Sequence, residues 1–147
     1  MKKDVFITIN STHKMDEDSD HIQMIFPGLY AFCEEKHKIT YEEPVEGMKG
    51  MIKNTLIIND AGMEIIKEGL ASSHMSFLKS GKKTSSKYST PYGDIIMGIR
   101  TFDLHISEGE DKICIDAQYA IEMGGEHVSN CNLKVDICSK DIADIHL

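Results

Sequence analysis

Alternation of apolar and polar residues with a period of two is the feature that most constrains what this chain can fold into. It is clearest in residues 113–138, which pause once at Gly124 and Gly125. On both sides of the pause, apolar side chains take the odd positions: Ile113, Ile115, Ala117, Tyr119, Ile121 and Met123, then Cys131, Leu133, Val135 and Ile137. Strict alternation is typical of a strand with one buried face, and a glycine pair is typical of a turn. The segments 113–123 and 128–138 are therefore predicted to form a β-hairpin.

A second long stretch, residues 94–107, alternates as well but changes phase midway. Apolar residues occupy odd positions up to Ile99 and even positions from Phe102 onward. Such a change turns half of a strand away from the core unless one extra residue is inserted. A β-bulge or a sharp bend is therefore expected near residues 98–101. Bends of this kind allow a long strand to follow a sheet that curves until it closes.

Shorter segments with the same pattern fill the rest of the chain between turn signals rich in Gly, Pro, Asp and Lys. They predict strands at 4–12, 20–34 with a break at Pro27 and Gly28, 37–43, 50–59, 63–69, 73–79 and 83–90. The segment 62–70 also fits a helical spacing, but it is short and bounded by glycine, which favours a strand. In the tail, Ser139 is placed to cap a short helical turn.

So many short strands in succession predict an all-β fold. An antiparallel up-and-down β-barrel of about 8–10 strands is favoured over an open sheet, because closure removes unpaired edges. A length of 147 residues suits one domain spanning the whole chain, residues 1–147, and allows a sizeable core to be buried.

Charge and cysteine content narrow the class of protein. A net charge of −8 disfavours general binding to nucleic acids or anionic membranes, and no apolar run is long enough to cross a bilayer. The start of the chain lacks the pattern of a secretory signal, so a cytoplasmic location is expected. In that compartment the four cysteines are expected to be thiols. They form no C-x-x-C pair, so zinc or thioredoxin-like chemistry is not indicated.

Several short motifs, taken in their order along the chain, resemble a known family. They are FPGLYAF, ITYEE, GMIKNTLII, MEIIKEG, MSF, KYSTPYGDI, IRTFDLHI, ICIDAQYAI and VSNCNLKVDI. In this order they are similar to the YwiB-like family of uncharacterised bacterial proteins, over nearly the whole chain. The resemblance implies a calycin-like (lipocalin-like) antiparallel β-barrel and no established activity. One departure is Lys67, which stands where the family tends to have arginine, so that a point charge replaces a fork-shaped donor.

Two cations fall on strand positions that are otherwise apolar. Lys67 lies on the apolar phase of its strand, and Arg100 lies at the change of phase. If the apolar phase faces the barrel interior, both point toward it, and a buried charge needs a polar partner. The sequence thus suggests an anion-binding site of Lys67 and Arg100, with Tyr88 and Tyr119 as hydroxyl partners. The alternative is that both cations reach solvent at the barrel mouth or pair with nearby glutamates, namely Glu42, Glu43 and Glu68.

Other clusters of reactive residue types match no complete motif. Residues 16–20 place aspartates at calcium-loop positions, but the glycine and the glutamate that such a loop needs are absent. His13 and His21 could face each other across a hairpin, although exposed polar strand ends explain them more simply. The lysines of 79–87 form no phosphate-binding loop and are interpreted as part of a solvated hairpin. No metal, cofactor or catalytic residue is therefore assigned.

The favoured function is a non-enzymatic binder of a small, partly apolar ligand that can be anionic. The alternative is a structural or protein-interaction module with a filled barrel, which can form a homodimer through strand edges or a patch at Phe6, Tyr30 and Phe32. An enzyme with scattered site residues stays open, although no motif fixes a nucleophile or an acid–base pair. The barrel interior distinguishes the first two, because a roomy interior favours a ligand and a filled one favours the module.

Overall fold

Ten antiparallel strands make up this computed structural model, which describes residues 3–15, 17–45, 47 and 49–140. They are β1 (Asp4–Met15), β2 (Asp18–Cys33), β3 (Lys36–Pro44), β4 (Met51–Asn59), β5 (Gly62–Gly69), β6 (Ser73–Leu78), β7 (Thr84–Thr90), β8 (Gly93–Glu108), β9 (Lys112–Met123) and β10 (Glu126–Ser139). Each strand pairs with the next along the chain, except across β6 and β7, and β10 pairs with β1. The predicted all-β, up-and-down barrel is confirmed, and the likeness to calycins stays a prediction. Nowhere in the described ranges is there a helix that could span a membrane.

The barrel is nearly closed, with one seam between β6 and β7. Within the described residues these two strands share no ladder and form the two ends of the sheet. They are joined beside Ser72 and Ser89, whose backbones exchange hydrogen bonds of 2.9 and 2.8 Å. The Thr84 hydroxyl donates a further bond of 2.9 Å to the carbonyl of Ser76. The seam is therefore held by few hydrogen bonds compared with the ladders that join the other neighbouring strands.

The two long patterns behave as predicted, with one correction. β9 and β10 form the expected hairpin. In β8 the register against β9 shifts between Thr101 and Asp103, so the expected bulge lies at Phe102, just beyond the predicted stretch. Ile99 is buried before the bulge, and Leu104 packs against the core after it. The expectation that Phe102 itself faces inward is wrong: as the inserted residue it points out and is 61% exposed.

Other strand predictions are mostly confirmed. The segment read as a strand rather than a helix is β5. The break expected at Pro27 is wrong, because β2 runs without interruption. Pro27 lies opposite Phe6 of β1, but it is outside the ladder between β2 and β3, which covers only residues 29–33. Within the described residues β2 is thus paired on one side only at Pro27, and an edge position of this kind tolerates proline. The helical turn predicted for the tail lies almost wholly outside the described residues, and Ser139 belongs to β10.

The two ends of the barrel differ. At the end where β1, β3, β5 and β9 begin, which we call the packed end, the interior is filled by fully buried apolar side chains: Val5, Ile7, Ile39, Ile58, Met63, Ile113 and Ile137. At the end where the same strands finish, which we call the open end, polar side chains join the inner face and a cavity remains. An interior of about this strand number can be filled by side chains, so the space at the open end is a property of this sequence.

Candidate ligand-binding cavity

The cavity has a volume of about 300 Å³ and lies inside the barrel toward the open end. Its apolar lining comes from Ile9, Met24, Leu56, Ile65, Met75, Phe77, Met97, Ile121, Leu133 and Val135, and its polar lining from Ser11, His13, Tyr41, Glu43, Lys67, Ser73, Tyr88 and Tyr119. A mostly apolar lining with a few placed polar groups is typical of a small-molecule site, and this volume is at the lower end of the usual range.

Three of the four predicted site residues lie in this lining: Lys67, Tyr88 and Tyr119. Lys67 is held on β5, where its ammonium nitrogen lies 3.2 Å from Oε1 of Glu43. The amide nitrogen of Asn54 donates to the same oxygen at 3.2 Å. The charge of Lys67 is thus compensated inside the barrel by Glu43, one of the glutamates considered as its alternative partner.

A polar row crosses one wall of the cavity. Tyr41, Asn54, Lys67 and Ser73 lie directly opposite one another on β3, β4, β5 and β6. Directly opposed residues of antiparallel strands share a face, so the whole row faces the interior. Burial first, and the Glu43 carboxylate second, raise the pKa of Tyr41 well above its usual value. The phenol of Tyr41 therefore stays neutral in the fold.

Three side chains near this row have unused hydrogen-bonding capacity. Asn54 Oδ1, Ser73 Oγ and Ser86 Oγ are buried and have no hydrogen-bond partner among the described residues. Leaving a buried polar atom unpaired costs free energy. Ser73 is on β6 and Ser86 is on β7. The two unpaired hydroxyls therefore belong to the two strands that flank the seam.

The opposite wall carries a second polar group, of which the sequence analysis assigned only Tyr119 to the site. His13 lies opposite Cys131 of β10, and Cys131 lies opposite Tyr119 of β9. Tyr119 packs edge-on against Phe77, with ring centroids 4.9 Å apart. Burial is the main cause that raises the pKa of Tyr119.

The idea that His13 and His21 face each other is wrong. In the ladder between β1 and β2, His13 lies opposite Asp20 and His21 lies opposite Thr12, so the two rings are on opposite faces of the sheet. His13 faces the cavity, and His21 lies 3.3 Å from Asn10 on the outside. The signal that could have identified His13 is the odd phase of β1, which His13 shares with Ile7 and Ile9.

Arg100 does not belong to the cavity. It precedes the bulge, where Ile99 and Thr101 on either side of it are buried, so its own side chain is directed outward and exposed. On that outer surface a hydrogen bond from Lys83 is the main cause that lowers the pKa of Glu122, and the positive charge of Arg100 lowers this pKa further. The structure therefore does not bring Arg100 together with Lys67, Tyr88 and Tyr119.

The other candidate groups remain apart. Phe6, Tyr30 and Phe32 do not form one exposed patch: Phe6 lies under the Lys140 ammonium, the Tyr30 hydroxyl lies 2.6 Å from Nδ1 of His37, and only Phe32 is largely exposed. In the part of the chain that the structure describes, no three His, Cys, Asp or Glu side chains are grouped to hold a metal ion.

Comparison with known proteins identifies a family but no activity. A solved structure, the YwiB protein from Bacillus subtilis, matches with a TM-score of 0.83 and 18% sequence identity, over 93% of this chain and 92% of that chain. At this identity the likeness shows a common fold. No curated protein matches the sequence. Residues 7–135 match the family described as "Domain of unknown function (DUF1934)". The chain therefore belongs to the DUF1934 family.

Proposed function

We propose that this protein is a non-enzymatic binder of a small, partly apolar ligand, which it holds in the barrel cavity. The observation that carries the proposal is the contrast between the two ends of the barrel. The packed end uses apolar side chains to fill the interior, whereas the open end keeps about 300 Å³ of space among polar and apolar groups. Unpaired buried polar atoms are costly for stability alone, so their presence beside a cavity supports a binding role.

The polar end of the ligand lies beside Lys67, Tyr88 and Tyr119 in this proposal. The Lys67 ammonium has three N–H donors, and the hydrogen bond to Glu43 uses one of them. An uncharged acceptor, such as a hydroxyl or a carbonyl group, fits there without disturbing the ion pair. An anionic group adds a second negative charge next to Glu43 and binds well only if it replaces Glu43 as the partner of Lys67.

The apolar part of the ligand has a path toward the open end. Ile22 lies opposite Ser11, and Ile95 lies opposite Tyr88, so both share the face that lines the cavity. Ile22 is 50% exposed and Ile95 is 45% exposed. Exposed apolar side chains at the rim of a cavity are a common sign of a ligand site. An apolar tail longer than the cavity can therefore extend over this rim.

Native mass spectrometry of the protein purified from its own host tests the proposal. We expect a bound small molecule that denaturation releases and that wild-type protein takes up again. Met97→Trp, which adds volume to the lining, is expected to abolish the uptake. Ile96→Trp is the matched control, because Ile96 immediately precedes Met97 in β8 and its side chain is 66% exposed. Loss of uptake in both variants, or in neither, would contradict the proposed location, and a protein that never takes up a ligand would contradict the function.

A second candidate, the interaction module, is favoured by one observation on β2. Among the described residues, β2 pairs with β3 only over residues 29–33, which leaves its first part with a free edge. Ile25 on that part is 59% exposed. Long exposed edges with apolar residues invite pairing with another chain. A monomer at high concentration by light scattering would count against a homodimer, and a dimer that Ile25→Lys dissociates would support it.

A further inference from the structure

One wall of the cavity brings a nucleophile, a base and a residue that orients the base into a single hydrogen-bonded line. Nδ1 of His13 lies 3.1 Å from Sγ of Cys131, and Nε2 of His13 lies 2.9 Å from Oγ of Ser11. The tautomer with its proton on Nε2 is compatible with both contacts, because it donates that proton to Ser11 and leaves Nδ1 free to accept the thiol proton. This is the arrangement that nucleophilic catalysis requires of a thiol and its base.

Strand pairing holds these groups in place. His13 and Cys131 are directly opposed on β1 and β10, and Ser11 is two residues before His13 on the same face. Tyr119 is directly opposed to Cys131 on its other side. Because all of these side chains come from the rigid wall and not from loops, their relative positions are fixed by the ladders. Ser11, His13 and Tyr119 line the cavity, so a molecule inside it contacts this group.

The surroundings of Cys131 require that a base take its proton. Cys131 is only 5% exposed. Burial raises the pKa of its thiol, and hydrogen bonds with the hydroxyls of Ser129 and Tyr119 lower it in part. The neutral thiol is therefore the resting form, and it becomes nucleophilic only when Nδ1 of His13 accepts the proton. Burial also means that bulk reagents meet Cys131 poorly. Cys131 is not itself a lining residue of the cavity, but His13 and Tyr119, which are directly opposed to it on either side, are, so a compound in the cavity contacts the two side chains that flank the thiol.

We propose that Cys131, with His13 as its base, adds to apolar α,β-unsaturated carbonyl compounds that enter the cavity. His13 takes the thiol proton while sulfur forms a bond to the β-carbon and the π electrons move to the carbonyl oxygen as an enolate. The imidazolium then returns the same proton to the α-carbon. One base accounts for the whole step, with no leaving group, oxidant or reductant. The inference rests on the proposed function only in that the compound must enter the same cavity.

The test uses full-length protein in which Cys131 is the only thiol, obtained by Cys33→Ser, Cys114→Ser and Cys138→Ser. The probe is hexyl vinyl ketone, followed by intact-mass spectrometry. We expect one adduct at Cys131, and we expect His13→Gln to slow its formation by about 100-fold, the usual contribution of a positioned general base. A matched protein that keeps only the exposed Cys33 is expected to react at the same rate with and without His13→Gln.

The saturated analogue, ethyl hexyl ketone, separates this inference from the proposed function. Binding of the analogue without labelling by the probe would overturn the inference and leave the function standing. If neither ketone enters the cavity, the inference and the proposed function are overturned together. An equal labelling rate at Cys131 with His13 and with His13→Gln would also overturn the inference, because His13 would then not act as the base. Ser11→Ala is a second variant, in which we expect slower labelling when the probe saturates the cavity, because Ser11 orients the base.

Discussion

Lys67 is a cation on the inner face of an apolar barrel, and its neighbours show how the fold tolerates it. Glu43 pairs with it, and Asn54 donates a second hydrogen bond to that carboxylate. The side chains of Lys67 and Glu43 are only 27% and 22% exposed. A charge pair in such a place contributes little net stability, but either member left alone is costly. The pair is therefore better understood as part of a polar site than as a stabilising device.

Lys67→Met is expected to lower the free energy of unfolding by about 2 kcal/mol, because Glu43 then keeps its charge in a partly buried place without its cation. The double variant Lys67→Met with Glu43→Gln is expected to recover most of this loss. Urea unfolding measures both. Lys87→Met is the control, since its partner Asp94 is on the surface, and we expect no measurable change. A double variant less stable than the single one would show that the pair itself holds the barrel together.

At the scale of the element, β8 shows how one inserted residue lets a strand serve a curved wall. Up to Thr101 its odd positions face inward, and after the bulge its even positions do. The side chain of Phe102 contributes little to this, since it is exposed, but its backbone forms the bulge that bends β8. The inserted backbone and the side chain of Phe102 thus have separate roles. A deletion tests the first and a substitution tests the second.

Deletion of Phe102 is expected to remove the bulge and to lower the free energy of unfolding by about 2 kcal/mol, because β8 then loses the bend that fits it to the curved wall. Leu104 and Ile106 keep their inward faces, since Asp103 stays opposite Gln118 and Leu104 stays opposite Ala117. Substitution of the same residue, Phe102→Ser, is expected to change the free energy of unfolding by no more than about 0.5 kcal/mol, as is usual for an exposed position. Circular dichroism and urea unfolding of the two variants make the comparison. A deletion variant as stable as wild type would mean that the bend at Phe102 contributes nothing to the stability of the barrel.

Local patterns predicted the strands well and the relations between distant strands poorly. Alternation located β8, β9 and β10 because each needs only its own residues to specify which face is buried. The same reasoning misplaced Arg100, since a phase change over several residues does not say which residue is the inserted one. It missed the contact of His13 with Cys131, which are 118 positions apart, because pairing of β1 with β10 is decided by closure of the whole sheet.

In the whole molecule, the seam between β6 and β7 is the place within the described residues where neighbouring strands share no ladder at all. Two backbone hydrogen bonds beside Ser72 and Ser89, and the side-chain bond from Thr84, hold β6 to β7 within the described residues. The buried Ser73 and Ser86 hydroxyls lack partners on the same two strands. A region with few hydrogen bonds and unpaired polar groups opens at lower free energy than the rest of a fold. The seam is thus the expected place of local opening.

Hydrogen exchange followed by mass spectrometry tests this expectation on the native protein. Peptides covering residues 73–90 are expected to exchange their amide protons faster than peptides covering residues 113–138, which lie in the continuous ladders of β9 and β10. If a ligand binds in the cavity, which Ser73 and Tyr88 both line, its presence is expected to slow exchange in residues 73–90. Equal exchange in both regions would mean that side-chain packing across the seam replaces the missing ladder.

The division of the barrel into a packed end and an open end bears on how such a scaffold evolves. The fully buried apolar side chains that stabilise the barrel lie at the packed end, and the side chains that line the cavity lie mostly toward the open end. Substitutions in the cavity lining can therefore accumulate with little loss of barrel stability. The YwiB protein keeps the same architecture with only 18% of its residues in common. Homologues with this division can differ in cavity lining while their backbones remain superimposable. A ligand identified for one homologue would therefore have to be tested again in each of the others.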